Sequence, residues 1–173
     1  MKSLFHFLCS GGKRRSPKLT ANYLSESAYQ QKMAERYYVD TSIWMDLLED
    51  RKGFNGELLG VYALKLFAMI KAKNHKLVLS DLLIRELESN YSVEEINGMV
   101  LPFKKIIEKV FVTKEQRDEA KKIAEERNLP PGDALHAIIA KDNNFIMVTR
   151  DKHFRELGDL TQHYKPEEII STS

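Results

Sequence analysis

The alternation of short apolar runs with longer amphipathic segments restricts what this chain can fold into more than any other feature. Tyr37-Tyr38-Val39, the run Lys76 to Ser80, and Phe145-Ile146-Met147-Val148-Thr149 are too short for buried helices and lack the alternation of a half-exposed strand. Buried strands of this kind belong to parallel sheets, whose crossovers are helices packed on the sheet faces. The pattern predicts strands at 37–40, 76–80, 109–112 and 145–149. Helices are predicted at about 41–49, 57–73, 81–90, 92–108, 113–128 and 131–142. Thr113 and Gln116 form a capping box that opens the fifth of these, and Pro130-Pro131 separates it from the sixth. A short polar helix and a terminal piece at 161–170 complete an α/β fold, a three-layer α/β/α sandwich around a central parallel sheet.

At 173 residues the chain suits one such domain, with residues 1–35 as an amino-terminal extension and 36–173 as the globular unit. The extension carries Gly11, Gly12, Lys13-Arg14-Arg15, Ser16 and Pro17, which predict a basic tail, followed by a short helix at 23–34. A formal charge of +2 is too small for bulk electrostatics to drive nucleic-acid binding, so such contacts would fall to local basic patches. Cys9 is the single cysteine, which rules out an internal disulfide and a zinc finger and favours a reducing compartment. The apolar stretch at 4–8 precedes its basic residues, the reverse of a secretory signal, and no run approaches the roughly 20 apolar residues of a membrane span. A cytoplasmic protein without membrane contact is expected.

Four carboxylates stand where these elements meet: Asp40 and Asp151 after strands, Asp133 in a first helical turn, and Glu86 on a helix. Each has a plain structural role open to it. Asp40 suits a helix cap, Asp133 complements a helix dipole that favours its ionised form, Asp151 suits an Asx turn, and Glu86 suits a solvated helix face. Their apolar company argues for more. Asp133 opens the segment Ala134 to Ala140, apolar on nearly every face apart from His136, so that helix is buried and its first-turn acid points inward. Converging buried carboxylates demand a compensating cation, and oxygen-only ligation suits Mg²⁺ or Mn²⁺. The chemistry that follows is metal-assisted hydrolysis, with phosphodiesters as the leading substrate.

The runs Val39-Asp40-Thr41-Ser42, Ser80 to Leu87, Gly132 to Ala137 and Val148 to Phe154 together resemble the PIN domain. The order Asp, Glu, Asp, Asp, with 18 residues from Asp133 to Asp151, is similar to the VapC-type toxin ribonucleases of toxin-antitoxin operons. The resemblance implies that Asp40, Glu86, Asp133 and Asp151 are catalytic and hold one or two Mg²⁺ or Mn²⁺ ions. It further implies that Thr41 or Ser42, and Thr149, hydrogen-bond those acids, and that the protein is a homodimer inhibited by an antitoxin covering the cleft. The activity implied is that of an endoribonuclease. Arg150, Lys152, His153 and Arg155, beside Asp151, are the expected RNA-binding residues, with Lys104 and Lys105 behind them. Three other readings stay open: a catalytically inactive RNA- or protein-binding module, a nuclease acting on DNA, and a processor of precursor RNA. A haloacid dehalogenase-type phosphatase is disfavoured, because Ser42 stands where that chemistry needs a second aspartate. His136, Trp44 and Tyr38 are expected in the core, as is most of the apolar face Leu58, Leu59, Tyr62, Leu66, Phe67 and Ile70, the remainder serving a dimer.

Overall fold

The computed structural model describes residues 34–172, so the basic tail and the helix expected upstream lie outside the described residues. Five parallel strands form one sheet in the order β3-β2-β1-β4-β5. They are β1 (Arg36–Val39), β2 (Lys76–Ser80), β3 (Ile107–Val110), β4 (Ile146–Val148) and β5 (His163–Tyr164). The helices are α1 (Thr41–Glu49), α2 (Leu59–Ala72), α3 (Asp81–Glu88), α4 (Val93–Val100), α5 (Lys114–Arg127), α6 (Pro131–Asn143) and α7 (Pro166–Ser171). The chain steps outward in one direction from β1 to β3 and in the other from β4 to β5, so its crossovers cover both faces. Helices α1, α2 and α7 pack together, and α5 packs along α6.

Local chemistry accounts for most boundaries. Thr113 and Gln116 close the expected capping box reciprocally at 3.2 and 3.1 Å. Asp50, Asn128 and Asn144 end α1, α5 and α6 in the left-handed region, which Asn and Asp tolerate better than most residues. The helix predicted across 92–108 is broken. Pro102 lacks the N–H needed for an α-helical bond, the chain tightens into a 3₁₀ turn at Leu101–Phe103, and β3 begins two residues before the predicted strand. The fifth strand, within the predicted terminal piece, is only two residues long, paired to Met147 and Val148.

The core runs from Tyr38 through Trp44 and Phe67, all fully buried, with the Trp44 and Phe67 rings edge-on at 4.5 Å. On α2, Leu66, Phe67 and Ile70 face this core, whereas Leu58, before its first turn, and Tyr62 turn outward. Close approach of α1 and α2 requires Gly60: a Cβ there would lie 2.6 Å from Asp50 Cα and 2.9 Å from the Asp46 carbonyl oxygen. Gly60→Ala is therefore expected to destabilise the fold by about 1–3 kcal/mol, seen as a lower urea midpoint at unchanged slope. No helix among the described residues is long and apolar enough to cross a membrane.

Candidate metal centre

Strand order reverses at β1, whose neighbours lead away to β2 on one side and β4 on the other. Open α/β sheets place ligands in the crevice beyond the carboxyl ends of strands at such a point. Asp40 directly follows β1 and Asp151 lies three residues after β4. Asp133 enters from the first turn of α6, and Glu86 reaches in from α3.

The side chains are fixed by short bonds. Asp40 sits at the position that would cap α1 but makes no side-chain cap. Its Oδ2 instead accepts from Ser42 Oγ at 2.8 Å and from Thr149 Oγ1 at 2.7 Å. Thr149, 1% exposed, also accepts the Asp151 backbone N–H at 3.0 Å, so one buried hydroxyl joins the acids that follow β1 and β4. Asp151 Oδ1 accepts from the His153 backbone N–H at 2.9 Å, the Asx turn its sequence suggests. His153 Nδ1 donates to Asp133 Oδ2 at 2.9 Å and lies 3.1 Å from Asp151 Oδ1. Asp133, Asp151 and His153 each offer one ligand atom within 4.8 Å of the others, while Asp40 and Glu86 stand outside that tight group.

Glu86 belongs to a second, buried chain of contacts. Its Oε2 accepts from Thr41 Oγ1 and from His136 Nε2, the latter at 3.0 Å. His136 Nδ1 shares a hydrogen bond of 2.7 Å with Tyr38 Oη, which meets Ser80 Oγ at 2.6 Å, and Ser80 caps α3 by accepting the Leu83 N–H. Burial opposes ionisation of Glu86, but the His136 hydrogen bond and charge and the Thr41 hydroxyl outweigh it and hold the carboxyl below its usual range. Burial likewise opposes a charged His136, yet the hydrogen bond and charge of Glu86, backed by Asp40 and Asp133, raise the imidazole above its ordinary value. The expected core position of His136 is what the fold gives it. Its contact with Glu86 was not read from the sequence, although its place one helical turn after Asp133 was the available signal.

The basic residues divide. Lys152 and Arg155 are exposed beside Asp151. Arg150 turns the other way: Nη1 meets Glu167 at 2.8 Å and Nε lies 3.5 Å from the buried Asp46, so its guanidinium ties α1 to α7. His153, expected on an RNA-facing surface, directs Nδ1 between two acids. Lys104 and Lys105 are exposed between the Leu101–Phe103 turn and β3, on the far side of β2 from β4.

This donor set suits a divalent cation. Burial and the charge of Asp151 raise the Asp133 carboxyl above its usual range, against the His153 hydrogen bond, and Asp40 adds to the effect. The helix-dipole advantage expected for a first-turn acid does not prevail over these. Negative charge held together at such a cost, and lined by hard oxygens, is what a divalent ion would relieve. Replacing the hydroxyl that bridges Asp40 and Asp151, as in Thr149→Val, is expected to weaken Mn²⁺ affinity by about 10- to 100-fold in a calorimetric titration. A groove of about 1150 Å³ lies elsewhere, beside Lys73, Asn144 and Thr161 before β2, β4 and β5, and none of the four acids lines it.

A parallel-sheet α/β/α sandwich with acids gathered at its switch point is the class that the fold and the site define. Residues 37–160 match the PIN domain family, and the chain belongs to that family. Among solved structures, a chain of VapBC2 from Rickettsia felis bound to a DNA fragment from their promoter superposes with a TM-score of 0.56 at 18% identity, covering 75% of this chain and 98% of that one. A chain of a toxin-antitoxin complex from Klebsiella pneumoniae gives a TM-score of 0.54 at 15% identity, covering 75% and 97%. At these identities the likeness establishes the fold. Comparison with curated protein sequences gives no match.

Proposed function

We propose that this protein is a divalent-metal-dependent endoribonuclease and the toxin of a toxin-antitoxin pair. The observation that carries the reading is the meeting of Asp133 and Asp151 beyond the carboxyl ends of the strands, with Asp40 tied to Asp151 through Thr149. Asp40, Asp133 and Asp151 would hold Mg²⁺ or Mn²⁺. When bound, such an ion polarises a phosphoryl oxygen and activates water for in-line attack. Thr149 and Ser42 fix the Asp40 carboxylate oxygen, so the negative charge is aimed before substrate arrives. Glu86, kept ionised by Thr41 and His136, would orient the attacking water.

Lys152 and Arg155 flank the acids and bind backbone phosphates as exposed cations. Membership of the PIN domain family supports nuclease chemistry, and the likeness to chains of toxin-antitoxin assemblies supports an antitoxin partner that shields the acids. The outward Leu58 and Tyr62 suit the homodimer contact.

The test is cleavage of matched RNA and DNA oligonucleotides with Mg²⁺, with Mn²⁺ and with excess chelator. The expected result is internal cleavage of RNA that the chelator abolishes and Asp40→Asn removes. Cleavage that survives the chelator, or equal cleavage by Asp40→Asn, would contradict the reading, and preferential cleavage of DNA would overturn its substrate.

A further inference from the structure

His153 is the nitrogen donor placed among the site's oxygens. Its Nδ1 lies 2.9 Å from Asp133 Oδ2 and 3.1 Å from Asp151 Oδ1. The ligand atoms of Asp133, Asp151 and His153 all lie within 4.8 Å of one another, close enough to share one ion. The imidazole is also anchored. Its backbone N–H closes the Asx turn onto the same Asp151 oxygen at 2.9 Å, and the next residue, Phe154, is 1% exposed and pins a second 3₁₀ turn, Lys152–Leu157, to the core.

We propose that His153 is a nitrogen ligand of this centre, completing with Asp133 and Asp151 a mixed imidazole and carboxylate set that favours Mn²⁺ over Mg²⁺. The inference rests on the metal-dependent reading above and names which ion that site selects. Mg²⁺ dehydrates reluctantly and takes oxygen ligands, whereas imidazole suits first-row transition metals. An all-oxygen site, as expected from the four acids alone, would not discriminate in this way. Nδ1 would bind the ion in the neutral tautomer that carries the ring proton on Nε2. The role also removes His153 from the RNA-contacting group and leaves that task to Lys152 and Arg155.

The experiment is pulsed electron paramagnetic resonance of Mn²⁺ bound to the whole protein, with Mn²⁺ and Mg²⁺ titrations on the parent, His153→Leu and His153→Asp. The side chain is 36% exposed, so neither replacement opens a core cavity, and a thermal melt verifies folding. The parent should show ¹⁴N modulation from a directly bound imidazole, which His153→Leu loses. That variant should bind Mn²⁺ at least about tenfold more weakly with Mg²⁺ affinity unchanged within about twofold, and His153→Asp should shift preference toward Mg²⁺. Mn²⁺ bound without ¹⁴N coupling, or equal loss of both ions in His153→Leu, would overturn the ligand assignment while leaving the nuclease reading intact. Failure of the parent to bind Mn²⁺ at all would overturn both.

Discussion

Asp133→Asn is expected to lower divalent-cation-dependent RNA cleavage by roughly two to three orders of magnitude while raising the melting temperature of the metal-free protein by a few degrees. Both effects come from one carboxylate. Burial, Asp151 and Asp40 raise the Asp133 carboxyl above the ordinary value of 3.8, so the native state binds its proton more tightly than the unfolded chain does. Stability from this group is present below 3.8 and is lost as pH rises through the raised folded value. At neutral pH the ionised side chain therefore opposes folding, and an amide of the same shape removes the opposition. Melts between pH 3.5 and 7 should show a gap in favour of Asp133→Asn that opens as pH rises. Added Mn²⁺ should reverse the order, because a ligand that binds only the native parent stabilises it by mass action. A variant that melts below the parent without metal, or gains as much from Mn²⁺, would contradict this account.

His136→Leu is expected to cost about 2–4 kcal/mol of stability and to reduce turnover about 10- to 100-fold. The leucine keeps the apolar packing of α6 but strips Glu86 of its 3.0 Å donor and Tyr38 of its 2.7 Å partner. His136→Gln, which can still donate an amide N–H toward Glu86, should recover a good part of the turnover. The raised imidazole contributes stability below its ordinary 6.5 that is lost as pH rises through its folded value. The lowered Glu86 carboxyl contributes above 4.5 and loses its contribution as pH falls through its folded value. The stability deficit of His136→Leu should accordingly be widest between 4.5 and 6.5 and shrink toward alkaline pH, as followed by urea denaturation. A deficit independent of pH would mean that only packing was lost.

The parallel architecture was legible because β1, β2 and β4 are buried on both faces and read as continuous apolar runs. Capping at Thr113 was legible for an equally local reason, since both halves of the box lie within four residues. Strand β5 was not, because two residues carry no periodicity and the pairing is supplied by the remote Met147 and Val148. The break at Pro102 was written in the chain but hidden under the helical spacing around it. At the site, Asp40 and Asp151 stood out by their positions after strands and Asp133 by its apolar helix, whereas Glu86 lies among charged residues on α3. The direction of each neighbouring side chain did not stand out. Arg150 and Asp151 are adjacent, yet one pairs with Asp46 and Glu167 and the other faces Asp133 across His153. Such choices depend on partners brought near by the fold, as do the hydroxyl of Thr149 bridging two acids and the imidazole of His136 locking a third.

Calorimetric titration of Mn²⁺ into the parent protein, Asp133→Asn and Asp151→Asn tests the shared-cation claim most directly. Saturable binding to the parent is expected, with affinity lost in both variants although each remains folded. Unaltered binding in the two variants, or none in the parent, would contradict it.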